Sequence, residues 1–422
     1  MPPVADTAMP WDAPVADPVA ALRSARRELG DTFAVVSGGT TYVFVFSPGG
    51  VRSFYDLPEE RASKGVADWQ LLTRKLPPEI FDGRRTLPHE LFDRDHVASY
   101  MTQLDWAIDR QVDDLGAEGV IDAFALTRRL GHLLGLASWG AADMLEPGEM
   151  DDLVAALDQL DGADAFVHPG DMHDVAQRDM DIERHALRSI EHLMAEVLSR
   201  LDGPRNDLFG EIVDRWSGTP DRVSGIARDV TLVHVASMSN MHAALGWTIV
   251  DVVRRPELVD RIRGGDASLT ERCALESTRL AQRSIMLRAV LRPVELADED
   301  TVYRLAPGAV AATLLPLMNT SAEPGLDRFD PDRWTRRRIP GLSCPERVTA
   351  FGHGKHTCPA QPFALAAMVR SVTRLVTTYE LSPLFSDPQP VTGQIGGVAR
   401  SARPCPVRYV RRGGDAQASS GA

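Results

Sequence analysis

Residues 351–358 read Phe351-Gly352-His353-Gly354-Lys355-His356-Thr357-Cys358, and an amphipathic helix, predicted over Pro362–Tyr379, begins within a few residues of the cysteine. The two glycines permit a tight turn in which backbone N–H groups can point at sulfur. The N-terminus of the following helix adds positive potential, which favours a thiolate over a thiol. A zinc site is the competing reading, because His353, His356, Cys358 and the upstream Cys344 are all metal-ligand types. Structural zinc normally draws paired ligands from CxxC-like knuckles, and here the glycines and Phe351 would then have no role. A buried thiolate held in this way is suited instead to ligating haem iron.

Working outward, Glu276 and Arg279 are three apart in a predicted helix, Leu269–Leu280, so carboxylate and guanidinium share a face. Some fifty residues later comes Phe329-Asp-Pro-Asp-Arg-Trp334, whose Arg333 could complete a buried Glu-Arg-Arg cluster with bidentate geometry. Phe351, Gly352, Gly354, His356 and Cys358 match, position by position, the haem-binding loop of the cytochrome P450 family. Glu276-x-x-Arg279 and Pro331-x-Arg333-Trp334 resemble that family's ExxR and PxRW motifs, in the family's order.

The resemblance implies haem b as cofactor, Cys358 as the iron ligand, Phe351, Gly352 and Gly354 shaping the loop, and His356 as a propionate contact. It makes Glu276, Arg279 and Arg333 structural, locking the layer beneath the haem. Arg288 falls on the strand where the family often places an arginine against a propionate. A second such contact is expected from an early helix: Trp106 with Arg110, or alternatively Arg85 with His89. The sequence departs from the family pattern at Ala360, where a glycine is usual.

The stretch from Arg222 to Arg255 has no proline, and Gly225 and Gly246 are its only glycines, so it can hold one very long helix that crosses the core. In the family's oxygen-activating members this helix carries an acid–threonine pair over the haem. Here there is no Asp or Glu between Val230 and Val250, and the centre reads Ala236-Ser-Met-Ser-Asn-Met-His-Ala-Ala-Leu-Gly-Trp247. Ser237, Ser239 and Asn240 are the candidate catalytic groups. The spacing resembles the branch with sterol 7- and 12-hydroxylases and prostacyclin synthase, whose central helix carries asparagine. An amide can orient a peroxide, ester or N–O group, but it cannot relay protons as a carboxylate does. The bland alternative makes Asn240 a cap for a helix kink, with Ser239 and water supplying protons. His242 is read as a packed histidine on another helix face.

The rest of the chain fits this frame. Its 422 residues, 44% hydrophobic, can bury a large core, and no linker divides them. The expected organisation is a disordered segment over 1–18, one domain over 19–411 and a flexible tail over 412–422. Phe33–Phe46 reads as a hairpin turning at Gly-Gly, Ala20–Leu29 as a short helix, and Gln70–Leu201 as largely helical. The expected fold is mainly α with small β-sheets, by resemblance the family's triangular α+β prism.

A net charge of -13 argues against nucleic acid or an anionic membrane as partner. The expectation is a cytoplasmic monomer, because no apolar run reaches the roughly 18 residues of a spanning helix and the four cysteines are scattered. The combined reading is a haem-thiolate enzyme of bacterial specialised metabolism acting on a small organic substrate, tilted toward cyclisation or rearrangement of an O–O or N–O bond. The alternatives are a monooxygenase fed by a ferredoxin and its reductase, with Lys355, Arg370 and Arg374 as docking patch, and a non-catalytic haem sensor.

Overall fold

The computed structural model describes residues 1–85, 100–161, 168–335, 339, 342 and 344–413. The long central segment is one helix, α6 (Arg222–Val253, 32 residues), and at about 1.5 Å per residue it runs the width of a domain. It is apolar on nearly all sides and is therefore buried on nearly all sides. Its interior hydroxyls are satisfied locally, Thr231 donating to the Ala227 carbonyl (2.6 Å) and Thr248 to that of Ala244 (2.7 Å).

Around it pack α3 (Ala123–Trp139), α5 (Asp181–Ser199), α7 (Ala267–Ala281) and α8 (Gln361–Thr378). The remaining principal helices are α1 (Pro18–Leu29), α2 (Met101–Leu115) and α4 (Pro147–Asp161). The approach of α3 to α6 depends on small residues: a Cβ at Gly135 would lie 2.9 Å from both the His234 ring and the Met238 side chain.

A second core lies on a five-stranded sheet, in the order β1 (Thr32–Ser37), β2 (Thr40–Val45), β8 (Val310–Leu314), β5 (Ile285–Val290), β3 (Ala62–Ser63). Phe33, Phe44 and Phe46 stack on one face of the expected hairpin. The predicted β-rich stretch beyond Ile285 resolves into β5 and β6 (Val294–Asp298), the latter paired with β7 (Thr301–Leu305). A third sheet joins β4 (Glu118–Asp122), β10 (Pro406–Arg411) and β9 (Tyr379–Pro383).

The N-terminal segment departs from its expected disorder. Ala5 donates to the Ala34 carbonyl (2.8 Å), Met9 N–H to Ser37 Oγ (2.9 Å), and the Trp11 indole to the Tyr42 hydroxyl (3.3 Å). Its Pro, Ala and Asp content suggests a disordered segment, but Ala5, Met9 and Trp11 give it an apolar face that the sheet buries. Residues 414–422 of the expected tail lie outside the described residues.

Candidate functional site

The loop before α8 is closed by its own backbone. Cys358 N–H donates to the Phe351 carbonyl (2.7 Å), and a 3-10 turn spans Gly354–His356. Gly352 has φ +85°, and a Cβ there would meet the His356 carbonyl oxygen at 2.5 Å, so this position needs glycine for conformation and for space. Burial pushes the Cys358 thiol up, while the backbone N–H groups of Ala360 and Gln361, hydrogen-bonded to it, pull it down. Ala360 replaces the family's glycine without strain, because its φ is -80°.

The sheet delivers a second group to this loop. Arg288 lies on β5, opposite Ala311, and is 1% exposed. Its guanidinium donates to the Ala62 carbonyl from Nε (2.8 Å) and Nη2 (2.6 Å), and its Nη1 meets His356 Nε2 at 2.8 Å. The His356 ring also packs against Tyr55, which touches His353. Arg288 and His356, 68 residues apart, thus converge on one spot.

Beneath the loop, Glu276 and Arg279 are both fully buried and form a bidentate pair at 2.8 and 2.9 Å. Arg333 Nε reaches Glu276 at 3.2 Å. Two further members were not anticipated. The Trp334 indole donates to Glu276 Oε2 (2.9 Å), and Asn319 accepts from Thr349 N–H while its amide donates to the carbonyls of Arg279 and Thr349. Trp334 sat inside a quoted motif and could have been found there. Asn319 carried no signal, since its partners, Arg279 and Thr349, come from two distant segments.

On α6, Ala236 and Asn240, four apart, are exposed on an otherwise buried helix, with Ser237 and Ser239 half-buried at their flanks. Asn240 Oδ1 accepts from Val398 N–H at 2.9 Å, so the amide is anchored to this loop as well as available to a substrate. One acceptor position of the amide is thus engaged, while its NH2 stays available as a donor to a ligand. Ser239 accepts from Arg400 through both its carbonyl (2.7 Å) and its hydroxyl (3.2 Å). His242 is buried against Arg400, and burial together with that cation keeps its imidazole neutral.

Of the early-helix candidates, Trp106 and Arg110 stack on the exposed side of α2, ring to guanidinium at 5.5 Å. Arg85 stacks instead on Trp216, and His89 lies outside the described residues. Arg370 and Arg374 are neutralised by Asp105 and Asp109 of α2, so they do not form an uncompensated basic patch. All four cysteines are free thiols, and no cluster of metal-ligating side chains occurs among the described residues.

Residues 267–406 match the family model for cytochrome P450. Relatives include human 24-hydroxycholesterol 7-alpha-hydroxylase (26% identical, covering 42% of this chain and 42% of that protein). A sterol 14alpha-demethylase of Mycolicibacterium vanbaalenii is 26% identical over 44% of this chain and 46% of its own length. The cytochrome P450 monooxygenase pyvB of Aspergillus violaceofuscus is 22% identical over 87% and 80%. The match thus spans less than half the length of the human relative, and 29% of its mouse counterpart.

The cofactor of this family is haem b. The residues fit such a group: a cysteine approached by two backbone N–H groups, a loop that no Cβ could enter at Gly352, and the converging Arg288 and His356 side chains for its carboxylates. Among the described residues no helix is long and apolar enough to cross a membrane. The loop, the buried Glu276 cluster and the mainly helical fold agree with the family match, and over residues 267–406 the chain is similar to the cytochrome P450 family.

Proposed function

We propose that the protein is a haem-thiolate enzyme acting on a small organic molecule of bacterial specialised metabolism, with Cys358 as the iron ligand. The observation that carries this reading is the cradle around the sulfur: Ala360 and Gln361 N–H groups turned onto Cys358 by a loop that closes through Gly352. When bound, the haem supplies electron-rich iron suited to cleaving O–O bonds. Arg288 and His356 would hold its carboxylates, whereas Arg110 lies on the exposed side of α2, and Phe351 packs at the core edge beside the cysteine. Glu276, Arg279 and Arg333 fix the layer on which the loop rests.

For the reaction class, the distal turn is the guide. Asn240 and Ser239 each have one acceptor position engaged, by Val398 and Arg400, and both keep hydrogens to present, while α6 has no carboxylate between Val230 and Val250. Two donors orient and polarise an oxygen that the substrate already carries, which supports cyclisation or rearrangement of an O–O or N–O compound. The second reading is a ferredoxin-dependent monooxygenase, and the relatives, a hydroxylase, a demethylase and a monooxygenase, favour it.

Anaerobic incubation with hydroperoxide and N-acyloxy model substrates separates the two. Turnover without reductant supports rearrangement. Strict dependence on oxygen, reductant and ferredoxin contradicts it and supports the monooxygenase.

A further inference from the structure

The turn of α6 that bears Ser237, Ser239 and Asn240 is held from one side by residues 394–400. Val398 N–H binds Asn240 Oδ1 at 2.9 Å. Gly397, at φ +61°, makes this approach feasible, since a Cβ there would lie 2.4 Å from that oxygen. One turn further on, the Trp247 indole donates to the Ala399 carbonyl (2.7 Å). The segment is itself fixed to the end of α7: Arg283 N–H donates to Gly397 O (2.8 Å), Gly396 N–H to Arg283 O (2.7 Å), and Ala399 N–H to Ala281 O (2.8 Å).

Arg400 is the cation of this clamp. Its side chain is 14% exposed and contacts Ser239 O, Ser239 Oγ, His242 Nε2 and Asp161 Oδ2, the last at 3.0 Å. A guanidinium can only donate, so Ser239 Oγ must accept from it and turn its own hydrogen elsewhere. The neutral His242 likewise accepts. Among the described residues Asp161 is the one carboxylate in contact with Arg400, and its other oxygen, Oδ1, has no hydrogen-bond partner. Lys75, 1% exposed, donates to the Asp161 backbone carbonyl at 3.0 Å, so a second amino group lies beside the same aspartate.

We propose that Arg400 is a positioning residue for the distal side: it fixes Ser239 as a hydrogen-bond donor and places a positive charge beside the open face of α6, which Asp161 tempers, so that this side favours anionic and electron-rich oxygen groups. The inference rests on the reading that α6 crosses the haem opposite Cys358. A buried charge acts over several ångströms because little solvent screens it.

The test uses the haem-loaded protein and two distal ligands, azide as the anion and imidazole as the neutral control, each followed by the shift of the haem absorption band. Arg400→Gln weakens azide by about tenfold, the scale of one nearby charge in a partly buried site. Its imidazole affinity stays within about twofold. Arg400→Lys, which retains the charge, keeps most of the azide affinity. Asp161→Asn moves azide the opposite way, tightening it, and carries the test alone if the arginine variants do not fold. Azide and imidazole weakening in parallel, or Asp161→Asn shifting azide in the same direction as Arg400→Gln, would reduce Arg400 to a packing role and overturn the proposal. A wild type without the red-shifted ferrous–CO band of a thiolate ligand overturns the underlying reading as well. That band together with an azide affinity indifferent to Arg400 and Asp161 overturns this inference alone.

Discussion

On the thiolate side, the chain makes its contacts close to home: Cys358 bonds back to Phe351, and the N–H groups that reach its sulfur are two and three residues on. In the centre of α6, by contrast, the turn around Ser239 and Asn240 is completed by Val398, 158 residues away, and by Arg400, which ties it to Asp161 across 239 residues. The first region needs glycines and a helix start in a fixed order, so it leaves a motif. The second needs only compatible groups meeting in space, so it leaves none. Chemistry common to a family can be carried by the first, while the second is where one chain's own substrate preference can be set.

The comparison breaks most visibly at the Glu276 cluster. Glu276→Ala strands Arg279 and Arg333 in a buried layer, and the expected loss is about 3–5 kcal/mol, enough to abolish a stable fold or haem retention. Chemical denaturation of the variant checks it. A loss under about 1 kcal/mol would mean that water reaches the cluster.

Gly352→Ala is the next step down. The substitution keeps the chemistry but forces an L residue to φ +85° with its Cβ on the His356 carbonyl, and about 1–3 kcal/mol should go, together with haem occupancy. Ala360→Gly serves as the control, because its φ of -80° suits any residue and the loop should be indifferent to the change.

Acid sharpens the contrast on the other side. Burial holds His234 and His242 below their ordinary pKa, so the folded state resists protons that the unfolded chain accepts. Stability is therefore unaffected well above about pH 6.5 and falls as pH drops through that value, by about 1.4 kcal/mol per pH unit for each histidine that remains neutral. Urea midpoints from pH 7.5 to 5 measure this, and His242→Gln should remove one share of the slope. Asp158, held down to about 2 largely by its hydrogen bonds to His132 and Arg128, contributes stability above its unfolded pKa that is lost as pH falls toward 2.

The smallest effect belongs to the exposed pair Arg374–Asp109. Removing it should cost roughly 0.5 kcal/mol or less, vanishing in high salt. A larger effect on reductase-supported turnover than on stability would show that this face docks an electron donor after all.

These differences mark how far the sequence could be read. The long helix α6, the Gly38–Gly39 hairpin and the helix bearing Glu276 announced themselves by periodicity and turn residues. Phe351–Cys358 announced itself by spacing. The packed N-terminus was hidden because Met9 and Trp11 are isolated apolar residues in a polar-looking stretch, legible only once the sheet they cover is known. Asn240 was visible as a residue, but the engagement of its oxygen by Val398 was not, because no local pattern couples a helix centre to a loop so far along the chain. Arg400 drew no attention for the same reason.

The most direct test of the account is the absorption spectrum of the purified, haem-loaded protein, reduced and exposed to carbon monoxide, for wild type and Cys358→Ser. The account predicts the red-shifted band of a thiolate-ligated ferrous–CO haem in the wild type and its complete loss in the variant. A wild type without that band, or a band that survives in Cys358→Ser, would contradict it.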